Sequence, residues 1–323
     1  MRQKNSPLKV IFFGLGSIGQ RHLRLLQQTA SAKLVIYAFR SGKSKNLSPK
    51  GTIELRSWKD VQELQPDIAF ICNPSSLHTK TALKCVAAGL KHLFIEKPID
   101  ASADGLSPLL REVKNGKVTA YIAYPLRFHP AVLKTKELLA KTKHAKHARC
   151  VVSSYLPLWR PGINHKKQYS AQAKMGGGVI LDLSHEFDLL QYLFGPCENM
   201  SGVAGRLTKV TVDAEDFADC LFMAGTTKVN LHMNFCSLEN SRYIEINGHD
   251  FFIRLDILNN TVTYRTGKKE KNFSYTMSRD ELFTKQLKFY LANLHNPKLM
   301  NNLLEASPLF KQILQFKRNC GRI

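Results

Sequence analysis

Leu8-Lys9-Val10-Ile11-Phe12-Phe13-Gly14-Leu15-Gly16-Ser17-Ile18-Gly19 is the segment from which the rest of the chain is read. Its first half is an apolar run of strand length, and its second half fits G-x-G-x-x-G. The pattern alone is weak. Here Ile18 to Thr29 carries helical spacing, so the glycines fall between a strand and a helix. In that setting Gly14 makes the tight turn and Gly16 lets a pyrophosphate approach the backbone. Gly19 lets the helix lie close on the strand, and Ser17 and Ile18 open the helix on which the anion sits. A dinucleotide site is expected, the alternative being a glycine turn with no ligand.

Outward from this segment the first third alternates strand and helix signals. Strands are expected at Leu34 to Phe39, near Ile53, at Ile68 to Cys72, Leu93 to Glu96 and Val118 to Tyr124. Helices are expected at Trp58 to Leu64, Leu77 to Ala88 with Gly89 as its stop, and Ala103 to Lys114. That order implies an α/β domain with a doubly wound parallel sheet over residues 1–122. After Tyr124 the rhythm changes. A helix is expected after Pro130, a strand at Ala148 to Tyr155, a long loop from Leu156 to Gly178 and one amphipathic helix from Val179 to Phe194. Short β runs from Val203 to Tyr275, with turns at Gly225-Thr226, Asn247-Gly248 and Asn259-Asn260, predict a large, mostly antiparallel sheet. Residues 123–323 thus read as an α+β domain for substrate binding and oligomerisation.

Composition sets the outer bounds. The 323 residues, 44% apolar, suffice for two cores. The net charge of +22 invites a nucleic-acid reading, which would predict steeply salt-dependent DNA binding. The excess is spread, however: residues 1–122 hold 19 basic and 8 acidic side chains and residues 123–323 hold 28 and 17. The dense stretches Lys134 to Arg149 and Arg265 to Lys271 lack interleaved aromatics that would stack bases. A solvated basic surface with affinity for anionic small molecules is the simpler reading, with neither nucleic acid nor membrane as a partner. Seven cysteines form no CxxC pair, which speaks against a disulfide framework or a zinc knuckle. No stretch approaches 18 apolar residues and Val10 to Phe13 is too short for a signal-peptide core, so a cytoplasmic location is expected.

The end of the second strand selects the cofactor. An NAD-selective site usually carries an acidic residue there, for the ribose 2′-hydroxyl. Ala38-Phe39-Arg40-Ser41-Gly42-Lys43 contains none, and the next acidic residue along the chain is Glu54. Arg40 can fork onto a 2′-phosphate, with Ser41 and Lys43 as further donors, so NADP(H) is expected over NAD(H). The alternative is that Arg40 stacks on adenine and both cofactors bind.

Glu96-Lys97-Pro98 ends a strand on the edge where open α/β sheets bind ligands. Together with the glycine loop, it resembles the Gfo/Idh/MocA group of NAD(P)-dependent oxidoreductases, which includes glucose-fructose oxidoreductase and inositol dehydrogenase. The resemblance runs in order through Cys72-Asn73-Pro74 with His78, Glu96-Lys97-Pro98, Arg127-Phe128-His129-Pro130 and Gly176-Gly177-Gly178. It continues into Leu181-Asp182-Leu183-Ser184-His185-Glu186-Phe187-Asp188. It implies cofactor contacts at Asn73, Pro74, His78, Glu96 and Lys97, and chemistry at Lys97 and His185. Oxidising a secondary alcohol requires removal of the hydroxyl proton and stabilisation of an alkoxide, tasks suited to an imidazole and an ammonium. Each alone could be ordinary: Lys97 a surface lysine ending a strand, His185 a satisfied interior histidine. Asp182, three before His185, would share its helix face and could orient the imidazole or bind substrate. In the family the aspartate-to-histidine step is commonly one longer, which puts Asp182 in doubt more than His185. Asp188 reads as a structural partner. A metal site from Asp182, His185 and Asp188 is disfavoured because two residues six apart face different ways.

Arg127, Trp159, Arg160 and Tyr169 are candidates for holding substrate. An indole can stack on a sugar ring, and a guanidinium can hold a carboxylate or phosphate. The resemblance implies an enzyme acting on a sugar, sugar acid or nucleotide sugar, in the manner of surface-polysaccharide pathways, and a homo-oligomer. The rival is a cofactor-binding regulator of a sugar pathway, without turnover.

Overall fold

The computed structural model describes residues 6–40, 49–142 and 145–322. The chain begins as strands and helices in turn: β1 (Leu8–Phe13), α1 (Ser17–Thr29), β2 (Leu34–Phe39), β3 (Thr52–Leu55), α2 (Trp58–Leu64), β4 (Ile68–Ile71), α3 (His78–Ala87), β5 (His92–Glu96), α4 (Leu106–Lys114) and β6 (Thr119–Ala123). There follow α5 (Pro130–Lys141), β7 (His147–Tyr155), α6 (Val179–Asp182), α7 (Ser184–Phe194), β8 (Cys197–Gly205), β9 (Phe217–Ala224), β10 (Thr227–Asn234), β11 (Cys236–Asn247), β12 (Phe251–Asp256), β13 (Thr261–Thr266) and β14 (Lys269–Ser274). The described chain closes with α8 (Arg279–Ala292), α9 (Leu303–Asn319) and β15 (Gly321–Arg322). No helix among the described residues is long and apolar enough to cross a membrane.

Two compact units result, Met1–Ala123 with Arg279–Ser307, and Tyr124–Ser278 with Pro308–Ile323. The break at Ala123 lies one residue from the position read in the sequence. The return of α8 to the first unit departs from that reading, in which residues 123–323 formed one domain. The cause is apolar burial: Phe283, Leu287 and Tyr290 of α8 join the core of Val10, Phe12, Phe70 and Phe94. Arg21 and Arg24 of α1 bind Asp280 at 3.2 and 2.7 Å, and Gln286 bonds the buried Tyr121 hydroxyl at 3.3 Å.

The first unit's sheet runs β3-β2-β1-β4-β5-β6, and every pairing is parallel. Residues 10–13 of β1, 68–71 of β4 and 93–95 of β5 are buried on both faces because helices cover each side, which is why they read as unbroken apolar runs. Stacked rings of Phe12, Phe70 and Phe94 form the middle of one layer, with centroids 4.7 and 4.6 Å apart. The strand order reverses between β1 and β4, so their following loops open side by side at the sheet's C-terminal edge.

The second unit's sheet runs β14-β13-β12-β11-β7-β10-β9-β8-β15. It is mostly antiparallel, but β7 pairs parallel with β10 and β15 pairs parallel with β8. One face carries the buried row Cys220, Leu231, Cys150 and Ile244, aligned by register across four strands. Helices α5, α6 and α7 pack on this sheet. The helix expected over Val179 to Phe194 is interrupted: Leu183 (φ −92°, ψ 25°) leaves helical geometry and separates α6 from α7. The loop from Leu156 to Gly178 holds short 3₁₀ turns, at Leu156–Leu158, His165–Lys167, Tyr169–Ala171 and Ala173–Met175.

Candidate active site

At the C-terminal edge of the parallel sheet, Gly14 has φ +95°, and a Cβ there would meet Asn73 N at 2.5 Å. The loops after β1 and β4 therefore touch through glycine. A Cβ on Gly19 would strike the Gly14 carbonyl oxygen at 2.2 Å, so the first turn of α1 lies directly on the turn that precedes it. Gly16 differs from both, because its Cβ would meet nothing within 4 Å. It caps α1 without a side-chain hydrogen bond, and the first turn, with Ser17 and Ile18, contains no acidic residue. The N–H groups of a helix start, beside open space above a glycine, are the donors that a phosphate would need there. The chain's own residues thus fit a dinucleotide at this loop.

The remaining residues expected around the cofactor divide. Asn73 is half-buried, with its Nδ2 donating to Thr81 Oγ1 at 2.8 Å, and Pro74 is exposed. His78 is not available to a ligand. It is 1% exposed, and its Nδ1 and Nε2 lie 2.8 and 2.9 Å from the carbonyls of Pro98 and Asn73. Burial draws its pKa below the ordinary histidine value, against the opposing pull of those carbonyls and of Glu96 and Asp100. His78 is therefore a brace between two loops. Glu96 is likewise withdrawn: it is 6% exposed and bound to His22 Nε2 at 2.5 Å. Lys97, the next residue, is half-buried at the end of β5 and joined to Pro98 by a cis peptide bond.

Arg40 follows β2, its N–H donating to Leu55 O at 2.9 Å. Spacing along the chain left this strand end without a carboxylate, but pairing supplies one. Glu54 sits on the adjacent β3, opposite Ala38, with its Oε1 3.9 Å from Arg40 Nε. Arg56 binds the same carboxylate at 3.2 Å. Ser41 and Lys43 lie outside the described residues.

In the second unit, His185 is half-buried, with the Tyr124 ring edge-on to it at 5.8 Å. Asp182 and His185 do not occupy successive turns of one helix. Asp182 ends α6 and His185 is the second residue of α7, so the equal-face argument fails at Leu183. Asp182 is buried and accepts a hydrogen bond from the Tyr169 hydroxyl. Tyr169, expected to hold substrate, is thereby placed on the aspartate. Gly177 and Gly178 explain how: a Cβ on Gly177 would strike Tyr169 O at 2.1 Å, and one on Gly178 the Glu215 carboxylate at 2.5 Å. The glycines let the loop bearing Tyr169 lie against the start of α6, while Lys317 Nζ neutralises Glu215 at 2.5 Å.

Arg127 departs from its expected role. It is 2% exposed and doubly bonded to Asp188, Nε to Oδ2 at 3.0 Å and Nη2 to Oδ1 at 2.7 Å, with the Tyr192 ring 4.9 Å away. A guanidinium held this way fixes the chain ahead of α5 to α7 and is not offered to a ligand. Trp159 is 37% exposed, its indole N–H on Ser154 Oγ at 3.0 Å and its ring edge-on to Phe235. Arg160, beside it, is exposed. Among the described residues no group of three or more His, Cys, Asp or Glu side chains is arranged to hold a metal ion.

Sequence reasoning missed His22, the Glu186–Arg242 pair (Nε to Oε1 2.7 Å) and Glu215. The signal existed in part. His22 lies within the buried stripe of Leu23, Leu25 and Leu26, and Glu96 ends an apolar strand, so each was a lone polar residue in a core element. Matching them requires knowing that α1 packs beside β5.

Residues 8–124 match the oxidoreductase family with NAD-binding Rossmann fold, and residues 135–253 match the GFO/IDH/MocA C-terminal domain. The chain belongs to the GFO/IDH/MocA family. A myo-inositol 2-dehydrogenase of Thermotoga maritima is 25% identical over 196 residues, covering 58% of this chain and 55% of that protein. The chain spans about half the length of the first curated relatives it matches. Among solved structures, a UDP-N-acetylglucosamine 3-dehydrogenase of Acidithiobacillus ferrooxidans superposes with TM-score 0.78 at 18% identity, covering 98% of each chain. The 3-ketoreductase KijD10 of Actinomadura kijaniata, solved with NADP and TDP-benzene, superposes with TM-score 0.80 at 14% identity over 98% of this chain and 99% of that one. At these identities the structures speak for the fold.

Proposed function

We propose that the protein is an NADP(H)-dependent oxidoreductase that moves a hydride between nicotinamide and a hydroxyl or keto carbon of a sugar, sugar acid or nucleotide sugar. The observation that carries this reading is the shared sheet edge: the open seat at Gly16 and the half-buried Lys97 end strands of one parallel sheet. The dinucleotide supplies the hydride acceptor or donor. Lys97 places positive charge where an alkoxide develops, and His185 exchanges the hydroxyl proton. Asp182, bound by Tyr169 at the end of α6, is assigned to a substrate hydroxyl, the alternative to orienting His185. The exposed Trp159 and Arg160 suit a sugar ring and an anionic group. The curated relatives support the substrate class, since the one named is a myo-inositol 2-dehydrogenase.

Preference for NADP(H) rests on Arg40. The Glu54 carboxylate is shared by two guanidiniums, so the strand end keeps a net positive charge toward a 2′-phosphate. A homo-oligomer is supported by the second unit's other sheet face, where Phe217, Leu221 and Met223 are part-exposed or exposed.

The test is a fluorescence titration with NADPH and NADH, then oxidation assays on myo-inositol, UDP-N-acetylglucosamine and related sugars. Lys97→Ala is expected to leave NADPH binding within a few-fold while lowering turnover by about a hundred-fold. His185→Ala is expected to remove the pH dependence of turnover. Full activity in both variants would refute the reading.

A further inference from the structure

Two histidines grip the chain on either side of Lys97. His78 holds the carbonyl of Pro98 after it, and His22 holds the carboxylate of Glu96 before it. His22 is fully buried, with the rings of Phe94, Phe283 and Phe70 at 4.9, 5.5 and 6.0 Å. Its Nδ1 has no hydrogen-bond partner among the described residues. An acid and an imidazole inside an aromatic core are poor material for stability alone, because two apolar side chains of similar size would serve that purpose as well. What the pair adds is direction. A 2.5 Å contact between two buried polar groups fixes both rotamers and the height of one element against the other, which apolar packing does far less sharply.

The elements so fixed are the two that matter. α1 starts at Ser17, directly after the open glycine seat, and carries His22 about one and a half turns further on. Glu96 is the last residue of β5 and is bonded covalently to Lys97. We propose that His22 and Glu96 form a positioning pair that ties the pyrophosphate seat at the start of α1 to the backbone of Lys97. Dinucleotide seating and lysine alignment are then a single adjustment. Neither residue touches substrate, and the inference rests on the role given to Lys97 above.

A double-mutant cycle tests it, with NADPH and the best-used sugar of the screen as probes. His22→Leu is expected to lower kcat by about ten-fold or more, with sugar KM moved by less than about three-fold, as a misplaced catalytic group does. His22→Gln, whose amide nitrogen can stand in for Nε2, is expected to restore most of the loss. In the Lys97→Ala background His22→Leu is expected to add less than about two-fold, because the group it positions is gone. Losses that multiply in both backgrounds, or no rescue by glutamine, would reduce the pair to core support. Should His22→Leu fail to fold, the isosteric Glu96→Gln replaces it, with a several-fold kcat loss expected that disappears in the Lys97→Ala background. An unimpaired Lys97→Ala enzyme would overturn the role of the lysine, whereas an impaired Lys97→Ala beside an unimpaired His22→Leu would overturn the pair alone.

Discussion

The surroundings of Lys97 and of His185 are built on different principles. Around Lys97 the supports are imidazoles and backbone carbonyls within a regular strand and helix lattice, and of the buried acids Glu96 meets a histidine and Asp100 a threonine. Around His185 the supports are buried carboxylates, each held by a partner from another segment. Asp188 is held by Arg127, Glu186 by Arg242, Glu215 by Lys317 and Asp182 by Tyr169. The first arrangement positions a side chain by the geometry of a sheet edge. The second has an interrupted helix and a loop of short turns, and it depends on charge pairing to hold its shape.

The difference can be attacked where it is largest. Arg127→Leu leaves Asp188 buried with its main partner gone and is expected to cost about 3–5 kcal/mol in urea unfolding. The double variant Arg127→Leu/Asp188→Leu is expected to recover most of that. A loss under about 1 kcal/mol for the single variant would mean that pairing does not hold the second unit. Next comes Arg40→Ala, expected to weaken NADPH by about 1.5–3 kcal/mol and NADH little, read by titration. Equal losses would leave Arg40 as an adenine contact. The smallest effect probes a titrating group at the other end of β5 from Lys97. Burial first, and the neighbouring His295 second, push His92 down to about 4. An unfolded imidazole takes its proton near the ordinary value, so between those two values the unfolded chain binds more protons. Stability is expected to fall as pH drops from about 6.5 to 4, by about 1–2 kcal/mol once partial exposure is allowed for, and His92→Gln is expected to flatten this slope.

What the sequence made legible follows the same division. The phosphate loop was readable because a glycine pattern, a strand before it and a helix after it are local facts. Trp58–Leu64 was bounded correctly because Ser57 and Asp60 cap it reciprocally, a signal contained within four residues. The interruption at Leu183 was not readable, since Val179 to Phe194 has unbroken helical spacing while the backbone of Leu183 turns to φ −92° and ψ 25° between the two pieces. Arg127 was read as a candidate for holding substrate because the partner that takes it up lies 61 residues away. Glu54 was discounted for being far along the chain, although strand pairing brings it next to Arg40.

The amino-acid order by itself determined the family, the parallel sheet, the glycine turn ahead of α1 and the lysine at the end of β5. Each depends on residues within a turn or a strand of one another, where sterics and periodicity act without help. The tertiary structure alone decided which polar groups are spent. His78, Glu96, Arg127 and Tyr169 are all taken up by buried partners, and α8 belongs with the first sheet. The physical reason is that a buried charge or imidazole must find a partner wherever the fold supplies one, and that partner's distance along the chain carries no penalty once the core has formed.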